Sequence, residues 1–76
     1  MRQKNCIQDF NRALAINQNF FEAYLARATI YGIENRHAKA ILNCNEALKL
    51  NSKCVRGYLY RYFCLFIIFF FNLKII

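Results

Sequence analysis

The sequence is short of almost everything that carries chemistry. It has no Gly-rich phosphate loop, no HExxH, no serine in a nucleophile elbow and no clustered acid pair. Its four acidic residues, Asp9, Glu22, Glu34 and Glu46, stand singly, as carboxylates on helix surfaces or in a turn do. The one histidine, His37, falls where a helix opens and reads as a structural or solvated ring. Nothing supplies a nucleophile, a base and an oxyanion site together, so no enzyme is expected. The four cysteines, Cys6, Cys44, Cys54 and Cys64, lie ten or more residues apart, whereas zinc sites use close ligand pairs. They read as packing thiols, and neither a metal nor any other cofactor is expected. No signal peptide precedes Cys6, which gives an oxidising compartment no support and makes the cytoplasm the expected setting. Proline is absent and glycine occurs twice, so the turns fall to polar stretches such as Asn17-Gln18-Asn19 and Asn51-Ser52-Lys53.

What is present is a basic, apolar chain. Eleven lysines and arginines against four acids give a formal charge of +7, which favours acidic partners, an anionic membrane surface or nucleic acid. The basic residues are spread singly, with no run and no Arg-Gly-aromatic motif. They read as solvated helix faces, and nucleic acid is not an expected partner. At 76 residues the chain is at most one small domain with little core to spare.

The main signal is an internal repeat. Sliding the chain by 34 residues lays Ile7 on Ile41, Asn11 on Asn45, Ala13 on Ala47, Leu14 on Leu48 and Asn17 on Asn51. The same shift lays Tyr24 on Tyr58, Leu25 on Leu59 and Arg27 on Arg61. A period of 34 is the length of one helix–turn–helix unit in a stacked array. Helical spacing supports this. Ile7, Phe10, Ala13 and Leu14 make one stripe, Phe21, Tyr24, Ala28 and Tyr31 a second, and Ala40, Ile41, Cys44, Ala47 and Leu48 a third. These predict helices over residues 2–16, 20–33 and 37–50, and the start of another near Val55. Gly32 and Asn35 weaken and end the second helix, and Asn tolerates the left-handed conformation its turn asks for. Ser52 is positioned to cap the following helix, and Glu46 and Lys49, three apart, can pair.

Tyr24-Leu25-x-Arg27-Ala28-x-x-Tyr31, then Ala40-Ile41, then Ala47-Leu48-x-Leu50-Asn51, resembles a tetratricopeptide repeat over about residues 2–61. The family's first helix carries a large residue, a small one four places on and an aromatic three further; here these are Tyr24, Ala28 and Tyr31. Its second helix carries small, bulky and small residues, here Ala40, Cys44 and Ala47. Asn51-Ser52 stands where Asp-Pro is usual, and Asn35 where Gly often turns the chain. The resemblance implies an all-α fold of antiparallel helix–turn–helix hairpins stacked as a short solenoid. Residues 1–18 would be the second helix of a truncated repeat, 19–52 a complete hairpin, 53–61 the start of a third repeat, and 62–76 an apolar C-terminal tail. The first stripe would normally meet a preceding helix that is not encoded, so the chain is expected to open inside a repeat, as a fragment, an internal start or a mis-set gene boundary would.

The tail reads differently. Tyr62 stands where Ala28 stood one repeat earlier, and YFCLFIIFFFNLKII follows with no evident helical or alternating period. The unbroken apolar run 62–71 would span about 15 Å as a helix, against about 30 Å for a bilayer core. Extending it to residues 57–76 takes in Arg61, Asn72 and Lys74, of which Arg61 and Lys74 could snorkel, so a membrane partner through 57–76 stays open. A second possibility is read-through or a frameshift after Arg61, since AT-rich codons specify mostly these residues, in a truncated gene product without independent function. A third is a real helix buried against a partner. FIIFFF is in any case aggregation-prone.

The resemblance also implies the function: a protein–protein interaction module that binds a peptide or partner domain along its first helices. The groove candidates it implies are Glu22, Leu25, Ala26, Thr29 and Ile33 from one repeat and Arg56, Leu59 and Tyr60 from the next. Ala40-Ile41-x-x-Cys44-x-x-Ala47-Leu48-Lys49-Leu50 followed by Arg56-Gly57-Tyr58-Leu59 is similar in wording to co-chaperone repeats, which grip acidic chaperone C-terminal tails. Their carboxylate clamp has an asparagine where this chain has Ala26, and two basic residues four apart where it has Arg56 and Tyr60. Arg61 points about 100° away. The clamp is therefore incomplete.

Overall fold

The computed structural model describes the backbone of residues 3–75 and the side chains of residues 6–71. It is all-α, with helices α1 (Gln3–Ile16), α2 (Phe21–Ile33), α3 (His37–Leu50) and α4 (Val55–Ile75). The first three lie where the apolar stripes put them. The turns explain why the chain breaks where it does. After α2, Asn35 takes φ 62°, the Asn35 N–H donates to the Gly32 carbonyl at 3.1 Å and the Arg36 N–H to the Tyr31 carbonyl at 2.8 Å. That pair of bonds is a Schellman motif, and it satisfies carbonyls the helix end leaves open. The other two turns are alike. The Asn17 side-chain oxygen accepts from the Asn19 N–H at 3.0 Å, and that of Asn51 from the Lys53 N–H at 3.1 Å. These are Asx turns, in which a side chain replaces a backbone acceptor and no glycine is needed. Asn51 rather than Ser52 thus shapes the entry to α4. Ser52 lies too early to cap it; Cys54 precedes Val55, and the Ser52 carbonyl accepts from the Tyr58 hydroxyl at 3.1 Å.

Small side chains set how closely the helices approach. Ala28 of α2 meets Ala40 and Cys44 of α3 and Cys64 of α4 in one buried cluster, with Tyr31 and Tyr60 against it. Leu25 meets Ala47, Leu48 and Cys54 in a second, with Tyr24 and Tyr60 against it. Residue numbers rise along α2 as they fall along α3, so the two are antiparallel. They rise again along α4, which therefore runs parallel to α2. Burying Leu25 alone is worth about 1.5–3 kcal/mol. Between α3 and α4 the close approach is at Gly57, where an added Cβ would sit 3.0 Å from Leu48 Cδ2. The Cα thickness of 14 Å is what two helix layers give, with axes about 10 Å apart and Cα radii of about 2.3 Å.

Hydrogen bonds repeat with the sequence. Arg27 Nη1 donates to Asn11 Oδ1 at 2.7 Å, and Arg61 Nη1 to Asn45 Oδ1 at 2.9 Å, 34 residues on in both partners. Each guanidinium also lies over a tyrosine ring, Arg27 over Tyr24 at 5.5 Å and Arg61 over Tyr58 at 5.4 Å. α1 therefore sits on α2 as α3 sits on α4. Arg27 has a further bond, from Nε to Asn43 Oδ1 at 2.8 Å. Asn43 is buried and spends its amide on the Lys39 carbonyl at 2.9 Å, so neither end is left unpaired. The Lys49–Glu46 pair forms at 3.1 Å, but both ends are exposed and it contributes at most a few tenths of a kcal/mol.

Of the three readings of the stretch after Arg61, the helix is the one seen: residues 62–75 continue α4 without a break. A period is present in the burial: Gly57 and Cys64 are buried, and Tyr60, Arg61, Ile67 and Ile68 half-buried, which is one helix face. Among the described residues no helix is long and apolar enough to cross a membrane. The span 57–76 reaches past the described side chains, which end at residue 71. Arg56, Arg61 and three tyrosines occupy the first half of α4, and Arg61 is bonded to Asn45 rather than free to reach a lipid surface. The snorkelling role of Lys74 and the side chain of Asn72 lie outside the described residues.

Candidate interaction cleft

Because α2 and α4 run side by side on one layer, a cleft opens between them. It holds about 360 Å³ and is mostly apolar. Ala28, Thr29, Gly32 and Ile33 form the α2 wall; Tyr60, Phe63 and Cys64 form the α4 wall. Thr29 donates its hydroxyl to the Leu25 carbonyl of its own helix at 3.0 Å. Gly32 leaves room: a Cβ there would meet nothing within 4 Å.

Of the groove candidates, Thr29, Ile33 and Tyr60 line this cleft. Glu22, Arg56 and Leu59 are exposed beyond its walls, and Ala26 is half-buried on the stripe that leads from Glu22 to Thr29. Leu25 belongs to the core: it is 5% exposed and packed on Ala47 and Leu48. One residue of helix is about 100° of rotation, enough to separate a groove position from a core one. Phe63 was missed. Carrying the 34-residue shift two places past Arg61 would have found it, since Phe63 falls on Thr29.

The clamp residues do not come together. Tyr60 occupies the second basic position, half-buried against both core clusters, and Ala26 offers no amide. Arg56 is exposed and stands without a second cation at that spacing.

The remaining chemical groups are the four cysteines and His37. Cys44 is fully buried, and burial first, then the neighbouring Cys64, pushes its thiol up to about 11, with Arg61 opposing. Burial also raises the Cys64 thiol. Thiols held protonated are poor nucleophiles and poor metal ligands. Cys54 is buried too, and Cys6 is half-buried. Among the described residues no three histidine, cysteine or carboxylate side chains gather as a metal site would need. His37 opens α3 half-buried, with its Nδ1 enclosed and no hydrogen-bond partner.

Set against protein-family models, curated proteins and solved structures, the chain gives no match to any of them, so its 34-residue repeat stands on its own residues and hydrogen bonds.

Proposed function

We propose that this chain is a protein-interaction module of the tetratricopeptide-repeat kind, which takes a peptide or a partner domain in the cleft between α2 and α4. The observation that carries this is the cleft itself: an open apolar trough between parallel helices one repeat apart, with Phe63 and Tyr60 facing Thr29 and Ile33. Binding is by apolar contact along the trough, with Glu22 and Arg56 exposed nearby to set preference by charge. Catalysis has no part in it. An acidic chaperone tail is a poor candidate, because one arginine cannot make the paired contact to a terminal carboxylate.

The test is to select peptides from a random phage-displayed library on the full chain, then titrate the enriched peptides against Gly32→Leu. The new side chain would enter the cleft from a position with open space around it. Helical circular dichroism should be unchanged and affinity should fall about tenfold or more. Failure to enrich any peptide, or peptides indifferent to Gly32→Leu, would remove the cleft as the binding surface.

A further inference from the structure

The face of α4 turned away from α2 and α3 carries five large apolar side chains in one line. Val55, Leu59, Tyr62, Phe66 and Phe69 follow one another at spacings of four, three, four and three, and each is between 60% and 67% exposed. An alternation of four and three is the seam by which one helix packs lengthwise on another. Neither a membrane surface nor an irregular loop requires that spacing. Phe63 and Phe70 flank the line on one side, Tyr58 and Leu65 on the other. No charge falls on the line itself from Val55 to Phe69; the exposed Arg56 lies on the Phe63 flank, and Arg61 on the α3-facing side, bonded to Asn45.

We propose that this seam is a self-association surface, on which a second copy of the chain lays its own α4 antiparallel to the first. Three observations select that occupant. The seam is uniformly apolar, so it is complementary to itself, as a two-fold interface must be. Its area is right. A buried aromatic residue removes about 150–250 Å² from water, so Tyr62, Phe66 and Phe69, each roughly 60% exposed, offer roughly 360 Å². Val55 and Leu59 on the line, with Tyr58, Leu65 and Phe70 beside it, bring this near the ~800 Å² per partner of a stable interface. Charge sets the direction. A parallel pair would set the two Arg56 side chains and two positive helix N-termini together, whereas an antiparallel pair centred on Tyr62 sets each Arg56 level with the uncharged stretch around Ile68 of its neighbour and the two arginines roughly 18 Å apart.

The alternative occupant is α1 of another copy, continuing the repeat head to tail. It fits less well. Within the chain, Ala28 meets Ala40 and Cys44; one repeat out, the same contact would set Tyr62 against Cys6 and Phe10. Rings in place of small residues hold the helices apart. The two-fold pair has no such constraint, and it leaves the Gly32 side of the α2–α4 cleft open. It does not depend on what that cleft binds.

Sedimentation velocity of the full chain over a range of concentrations should show one association step, to twice the 9.1 kDa chain mass. Phe66→Glu, an exposed substitution that leaves helical circular dichroism unchanged, should weaken that step about 30-fold or more. Cross-linking fixes the geometry. Tyr62→Cys, at the centre of the seam, should oxidise to a covalent dimer beyond any formed by the parent chain. Val55→Cys should not, since in an antiparallel pair two such positions lie roughly 20 Å apart, far beyond disulfide reach. A monomer at every concentration, assemblies growing past the dimer, or cross-linking through Val55→Cys would each overturn the proposal. So would a chain that is monomeric in buffer and sediments with phosphatidylserine vesicles, which would assign the seam to a lipid surface.

Discussion

α2 and α4 are the same helix, one repeat apart, in different company. Tyr24-Leu25-x-Arg27 in one is Tyr58-Leu59-x-Arg61 in the other, and each arginine reaches back to an asparagine of the preceding helix. Yet Leu25 is 5% exposed and Leu59 60%; Ala28 is 2% exposed and its counterpart Tyr62 63%. The difference is the helix that follows. α3 covers α2, and no helix among the described residues follows α4. A buried position in such an array is therefore a property of a pair of helices. A leucine at the right place in the repeat marks where a neighbour fits, whether or not the neighbour is there.

Substitutions at matched positions test this directly, read by urea unfolding in solutions dilute enough to hold the chain monomeric. The largest contrast is at the small-residue position. Ala28→Tyr, which writes α4's residue into α2, forces a ring between Ala40 and Cys44 and should cost about 3 kcal/mol or more. The converse Tyr62→Ala should stay within about 0.5 kcal/mol. Comparable losses at both would mean that α4 has a cover of its own. Next come the leucines: Leu25→Ala should cost about 2–5 kcal/mol and Leu59→Ala again no more than about 0.5.

The smallest contrast sharpens where the helices touch. Gly32→Ala removes a flexible residue from a helix where the new methyl meets nothing, and should stabilise by about 0.5–1 kcal/mol. At Gly57 the same propensity gain is opposed by Leu48, whose Cγ and Cδ2 lie 3.1 and 3.0 Å from the added carbon. Gly57→Ala should therefore be the less stable of the two variants. Equal melting temperatures would show that the α3–α4 spacing is not held by that glycine.

The legible parts of the molecule are those where polar and apolar residues alternate by face. α2 and α3 could be drawn from the sequence because Arg27, Thr29, Lys39 and Glu46 stand outside stripes of small and apolar residues. Asn35 announced its turn, since few other residues take a positive φ cheaply. In α4 the contrast disappears. Cys64, Ile67 and Ile68 face inward, but Tyr62, Phe66 and Phe69 face outward and are just as apolar, so no period stands out by residue type. The cleft was half legible for the same reason. Thr29 and Tyr60 fell on repeat positions, whereas Phe63 lay past the point where the pattern was followed. Leu25 was assigned outward by resemblance, although a leucine one place before Ala26 is what the core on that side uses.

Arg27 joins three helices with one guanidinium: Nη1 on α1 and Nε on α3. If α1 peels away, the Nε bond to Asn43 remains and the freed Nη1 turns to water, so detachment of that end strands no buried donor. Loss of α3 has no such exit, because Asn43 would lose its guanidinium partner together with the cover over Ala28 and Leu25. The molecule is thus built to fray in a fixed order, outermost hairpin arm before centre. Amide protons of α1 should therefore trade with solvent well ahead of those in α2 and α3.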